Sequence, residues 1–183
     1  MSAEDRTIAV GVAGLGYWGP NLARNLAAIP GCELRWLCDA VPETRERLSR
    51  SFPEARLTGD LEDLLADESL DAVVLATPVP THAELACAVL EAGKDCFVEK
   101  PLATTAADAE RAVAAAERCG RTLMVGHLLE YHPAVESLRE LIAEAVDLIV
   151  SIAKAPNEPG RLVQEVVSIN GIVDGTYQLS NAE

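Results

Sequence analysis

Apolar residues recur along this chain in two alternating rhythms. Short, nearly continuous apolar runs stand at Thr7–Ala13, Cys32–Cys38, Asp71–Thr77, Asp95–Glu99 and Thr122–Gly126. Runs of this length and density suit strands covered on both faces of a parallel sheet. Ala55–Leu57 adds a shorter strand after the second run. Between the runs, apolar residues take helical spacing. Leu22, Leu26 and Ile29 mark a helix over Asn21–Ile29, with Pro20 tolerated in its first turn. Pro42–Ser51 reads as a charged, exposed helix, and Asp60 caps another that carries acids in its first turn. Thr81 and Glu84 have capping-box spacing, at the start of a helix that runs to Ala92 and stops at Gly93. An alanine-rich helix covers Thr105–Cys119, and Pro133–Ala145 forms the next. Regular alternation of strand and helix predicts an α/β fold, a parallel sheet with helices on both faces and right-handed crossovers.

The rhythm breaks after Ala145. Val146–Lys154 reads as a strand, Pro156–Gly160 as a turn-rich loop, Arg161–Ser168 as a short helix and Ile172–Leu179 as a strand. The chain thus divides into residues 1–145 and a strand-helix-strand extension, residues 146–183, too small to build its own core.

The first strand runs into Gly14-Leu15-Gly16-Tyr17-Trp18-Gly19 and then a helix start. In that context G-x-G-x-x-G has physical meaning. Gly14 allows a tight turn, Gly16 lets the backbone approach a pyrophosphate, and Gly19 lets helix and strand pack closely. The helix N-terminus favours the phosphate charge. Tyr17 and Trp18 stand within the turn. Asp39 lies 20 residues after Gly19, at the end of the second strand. An acid there accepts hydrogen bonds from a ribose diol and repels a 2′-phosphate, which favours NAD over NADP. Its other reading is a cap before Val41-Pro42. These features select the Rossmann-type doubly wound sheet.

Net charge is −14 over 183 residues, which argues against general binding to nucleic acid or an anionic membrane. The five cysteines are odd in number and contain no C-x-x-C pair. They read as free thiols of a reducing cytoplasm. The N-terminus lacks the apolar stretch of a signal peptide, and no apolar run reaches the roughly 18 residues of a membrane span.

Ligands of open parallel sheets bind at the C-terminal ends of the strands. Thr77 and Pro78 stand at one such end, with His82 just beyond in the first helical turn. Glu99-Lys100-Pro101 ends the next strand, where the Lys100 ammonium can reach a substrate hydroxyl or carbonyl or help position a nicotinamide. The competing readings are turn chemistry at Thr77-Pro78 and a surface Glu-Lys pair. His127 follows the last strand of the first part directly. His132 reads as a helix-entry residue. No carboxylate or cysteine stands near these histidines at zinc-ligand spacing, so no metal site is expected.

GLGYWGPN, Asp39, TP-x-x-TH at Thr77–His82, EKPLA at Glu99–Ala103 and GHLLEYHPAV around His127–Val135 occur in that order. Over roughly residues 6–145 the chain resembles the Gfo/Idh/MocA oxidoreductases. The resemblance implies a two-domain NAD(P)-dependent enzyme acting on a sugar, sugar nucleotide or cyclitol, and often assembled through its second-domain sheet. Lys100 matches the catalytic-site lysine of that family. Thr77, Pro78, His82, Glu99 and residues 127–133 match positions lining its cofactor and substrate crevice. The tail departs from the family: 38 residues follow Ala145 and none is histidine, with no match to the family's second-domain Asp/His pair. The tail also resembles the opening of an ACT-type module. Three functions remain open: a dehydrogenase, a dinucleotide-binding module without catalysis, which would use its exposed strand edge for assembly, and an inert fragment.

Overall fold

The computed structural model describes residues 6–145, 148–154, 161–173 and 176–181. These fall into two compact units, the first ending at Gly126 and the second starting at His127. The sequence reading placed that boundary at 145.

In the first unit the elements are β1 (Ile8–Ala13), α1 (Gly19–Ala28), β2 (Cys32–Cys38), α2 (Pro42–Ser49), β3 (Arg56–Thr58), α3 (Leu61–Ala66), β4 (Ala72–Leu75), α4 (His82–Glu91), β5 (Asp95–Val98), α5 (Ala106–Cys119) and β6 (Leu123–Val125). The strands form one parallel sheet in the order β3-β2-β1-β4-β5-β6. The order reverses between β1 and β4. Connections leave that point in opposite directions, so a crevice opens outside the C-terminal ends of these two strands.

The strand pleat divides the core. Ala9 and Ala13 of β1, with Val73 and Leu75 of β4, pack with Ala86, Val89 and Leu90 of α4 and the small Ala112, Ala115 and Ala116 of α5. Val10, Val12 and Val74 face the other way, onto Leu15, Ala23 of α1 and Leu48 of α2. Alternate side chains of one strand point to opposite faces, so continuous apolar runs are what a doubly covered sheet requires.

Helix ends follow local chemistry. Asp60 Oδ1 accepts the Glu62 N–H at 3.0 Å, and Thr105 Oγ1 accepts the Asp108 N–H at 3.1 Å. Gly120 stops α5 at φ 61°. The capping box expected at Thr81 does not form. Residues Val79–Thr81 wind a 3-10 turn before α4, which leaves Thr81 in helical rather than extended backbone. Its hydroxyl instead lies 2.8 Å from both Thr77 Oγ1 and the Pro78 carbonyl.

At the N-terminal ends of the strands a polar cluster ties loops together. The buried Lys94 ammonium donates to the carbonyls of Asp67 at 2.6 Å and Leu70 at 3.1 Å. The Trp36 indole N–H donates to Asp67 Oδ2 at 2.8 Å.

The second unit contains a 3-10 turn at Leu128–Tyr131, α6 (Pro133–Ala145) and an antiparallel sheet of β7 (Leu148–Lys154), β8 (Arg161–Val173) and β9 (Thr176–Asn181) in the order β7-β8-β9. The helix expected over Arg161–Ser168 is therefore a strand, and the strand expected over Ile172–Leu179 is divided between β8 and β9. Val163, Val166, Val167 and Ile169 are β-branched residues, which fit a pleated surface better than a helix, and β7 supplies an antiparallel partner from Leu148 to Lys154, with one register shift between Ser151 and Ile152. The described residues of the tail thus form three antiparallel strands and not the expected strand-helix-strand order, on which the ACT-type resemblance rested. The expected loop Pro156–Gly160 lies outside the described residues.

Candidate cofactor-binding cleft

The glycine turn shows why each of its glycines is small. Gly14 has φ 90°, and a Cβ there would lie 2.5 Å from the backbone of Ala76 and Thr77. A Cβ on Gly19 would lie 2.1 Å from the Gly14 carbonyl oxygen, so any side chain would lever α1 off the turn. At Gly16 a Cβ would meet nothing within 4 Å. That glycine faces open space, where a ligand's phosphates can approach the backbone. No side chain caps α1 and no acid stands in its first turn, so no carboxylate competes with an anion at this helix start. Tyr17 is exposed and meets the half-exposed Trp18 edge to face at 5.4 Å.

From this turn a cleft of about 590 Å³ runs outward, lined in part by Gly14, Gly16, Tyr17, Asp39, Thr77 and Pro78. Its volume suits a small-molecule cofactor. Asp39 performs two local tasks: Oδ2 accepts the Leu15 N–H at 2.7 Å and Oδ1 accepts the Val41 N–H at 2.9 Å. The bond to Val41 belongs to the local reading of Asp39 as a residue that shapes the chain before Pro42, and the bond to Leu15 ties the end of β2 to the glycine turn. Each carboxylate oxygen retains a lone pair, so Asp39 can still accept from a ribose diol. Cys38 also lines the cleft. Burial first, and then the charges of Asp39 and Asp60, push its thiol up to about 11, which leaves it a neutral wall rather than a nucleophile.

At the end of β5, Glu99 is buried and Lys100 exposed. The Lys100 backbone N–H donates to Glu99 Oε2 at 3.2 Å, and the Lys100-Pro101 bond is cis. The Glu99 carboxylate sits over Gly126, where a Cβ would come within 3.3 Å of Oε2. His82 is 1% exposed, with Nε2 2.7 Å from the Thr77 carbonyl and Nδ1 2.8 Å from the Pro101 carbonyl. Its ring is thus committed to backbone rather than presented to the cleft. His127 opens the second unit, exposed, and its carbonyl accepts the Glu130 N–H at 3.0 Å. His132 caps α6, Nδ1 accepting the Ala134 N–H at 3.1 Å.

The family model for an oxidoreductase family with an NAD-binding Rossmann fold matches residues 8–127. The chain belongs to the Gfo/Idh/MocA family. Inositol 2-dehydrogenase from Paracoccus denitrificans is 35% identical over 156 residues, 84% of this chain and 46% of that protein. GenD2 of gentamicin A biosynthesis, solved in complex with NAD, has 34% identity and a TM-score of 0.71 over 79% of this chain and 41% of its own. A variant of KijD10, a 3-ketoreductase from Actinomadura kijaniata in complex with TDP-benzene and NADP, has 26% identity and a TM-score of 0.71. It covers 84% of this chain, which matches 50% of that one. The chain spans about half the length of the relatives it matches.

In this Gfo/Idh/MocA chain the cleft also uses residues that sequence reasoning passed over. Val41, Gly59, Leu61 and Leu85 also line it. Arg45 on α2 donates to the Asp39 carbonyl and lies where a Gly59 side chain would be. Arg47 reaches the Leu15 carbonyl at 3.4 Å. Gly59 follows β3 and was open to the strand-end rule. The two arginines were hidden in a helix that reads as merely charged.

Proposed function

We propose that the first unit binds a nicotinamide dinucleotide, NAD in preference to NADP. The pyrophosphate lies over Gly14–Gly19 and the adenosine ribose at Asp39. The chain serves as the cofactor half of a dehydrogenase or reductase acting on a sugar, sugar nucleotide or cyclitol. The observation that carries this reading is the single cleft joining Gly16, open to solvent, with Asp39 and with Thr77-Pro78. Similarity to an inositol 2-dehydrogenase and to the 3-ketoreductase KijD10 supports a polyol or sugar-like substrate.

The bound nicotinamide supplies the hydride acceptor or donor. Lys100, exposed at the end of β5, holds or moves the proton of the reacting hydroxyl or carbonyl. Glu99 and Thr77 shape the walls beside it. His127 is a further candidate for contact with the cofactor, and the edge strands of the second unit's sheet offer a surface for self-assembly. A cytoplasmic setting accords with the free cysteines.

Titration with NAD and NADP, followed by turnover on a panel of inositols and sugar nucleotides, tests this reading. NAD binding with turnover is the expected result. Binding without turnover on any member marks a dinucleotide-binding module instead, and absence of binding overturns both.

A further inference from the structure

We infer that His82 is a positioning residue that ties the Lys100 loop to the Thr77 loop. The inference rests on the proposed role of Lys100 at the reacting oxygen.

Pro78 and Pro101 follow the ends of β4 and β5 and bring no N–H donor to either loop. The carbonyls of Thr77 and Pro101 still need donors. Both lie within hydrogen-bond distance of one buried ring, the Thr77 carbonyl 2.7 Å from Nε2 and the Pro101 carbonyl 2.8 Å from Nδ1. His82 is the first residue of α4, whose following turns bury Ala86, Val89 and Leu90 in the core. The ring is therefore anchored to the rigid body of the fold and holds both loops from beneath.

The consequence differs for each arm. The Thr77 arm fixes a residue that lines the cleft and meets the Thr81 hydroxyl through its own side chain. Loss of this arm disturbs cofactor placement. The Pro101 arm fixes the residue after Lys100, while Glu99 holds the Lys100 N–H from the other side. Loss of this arm lets the ammonium wander without touching the cofactor cleft. Misplacement of a catalytic group lowers the chemical step more than binding.

Two isosteric variants separate the arms. His82→Asn keeps an amide donor near the Nδ1 place and so the Pro101 arm. His82→Gln keeps one near the Nε2 place and so the Thr77 arm. Each loses one buried hydrogen bond, and urea midpoints verify that both fold. The Gln variant is expected to lose about tenfold in kcat with NAD affinity little changed, and the Asn variant to lose about tenfold mainly in NAD affinity. Amide hydrogen exchange gives a readout independent of turnover: faster exchange in peptides spanning 99–104 for Gln, and in those spanning 76–81 for Asn. Equal loss of both kinetic parameters in both variants overturns the inference, as does the same exchange pattern in both. A wild-type protein that binds NAD but turns over nothing removes the proposed role of Lys100, while the exchange pattern still decides whether His82 joins the loops.

Discussion

The Asp39 carboxylate, at the end of β2, holds the backbone N–H of Leu15 in the glycine turn at 2.7 Å. The acid expected to read the ribose thus also sets the shape of the loop expected to cradle the phosphates. Removing it damages both ends of the cleft at once. Asp39→Ala is expected to weaken NAD binding by about ten- to a hundredfold, the range for losing charged hydrogen bonds. Asp39→Asn should relax the discrimination against NADP, because a neutral amide no longer repels a 2′-phosphate. Calorimetric titration of each variant with NAD and NADP measures both effects. An affinity that does not move with Asp39→Ala would indicate an inert fold.

Gly16 and Gly19 are three residues apart but respond oppositely to a methyl group. Gly19→Ala drives a Cβ to 2.1 Å from a carbonyl oxygen and should cost roughly 1–3 kcal/mol of stability. Gly16→Ala places its Cβ in open space, so stability should stay within about 0.5 kcal/mol. The same methyl intrudes where the pyrophosphate must approach, and NAD affinity should fall by about tenfold or more. Denaturation curves and titrations on the two variants check the crossing pattern.

Lys100→Ala should reduce turnover by at least about a hundredfold, the usual scale for a lost proton carrier. NAD affinity should be nearly unchanged, since Lys100 does not line the cleft. An unaltered rate in this variant would remove Lys100 from the mechanism.

Far from the cleft, the Ser69 hydroxyl and then the Trp36 indole hold the Asp67 carboxyl down at about 2. A depressed carboxylate adds stability that is complete above its unfolded value, about 3.9, and is lost as pH falls through the folded value. Asp67→Asn should therefore lower the thermal midpoint at neutral pH, and its gap from wild type should close between about pH 4 and pH 2. A gap constant over that range would show that Asp67 acts by shape rather than charge.

Much of the first unit was legible because its signals are local. Runs such as Ala72–Leu75 announce strands covered on two faces, and Asp60, Thr105 and Gly120 mark helix ends through bonds to near neighbours. The second unit was harder. Arg161–Ser168 combines charged and apolar residues in a way that satisfies a helix by itself, and pairing with β7, which a single segment cannot express, made it a strand. Asp174-Gly175, a hairpin signal, stood in the sequence between β8 and β9 and went unread.

What the sequence determined alone was the alternation of elements, the glycine turn, the acid twenty residues beyond it and the prolines at the strand ends. These depend on backbone preference and on burial period, properties that a dozen neighbouring residues settle among themselves. Only the tertiary structure decided how they meet. Strand order brought Asp39 beneath Leu15, placed Arg45 against Gly59, and turned His82 from a candidate ligand into a strut between Thr77 and Pro101. Such contacts join residues on different strands and helices. Hydrogen-bond geometry is met or missed by tenths of an ångström, so it is fixed by the packing of the whole sheet and by no local pattern.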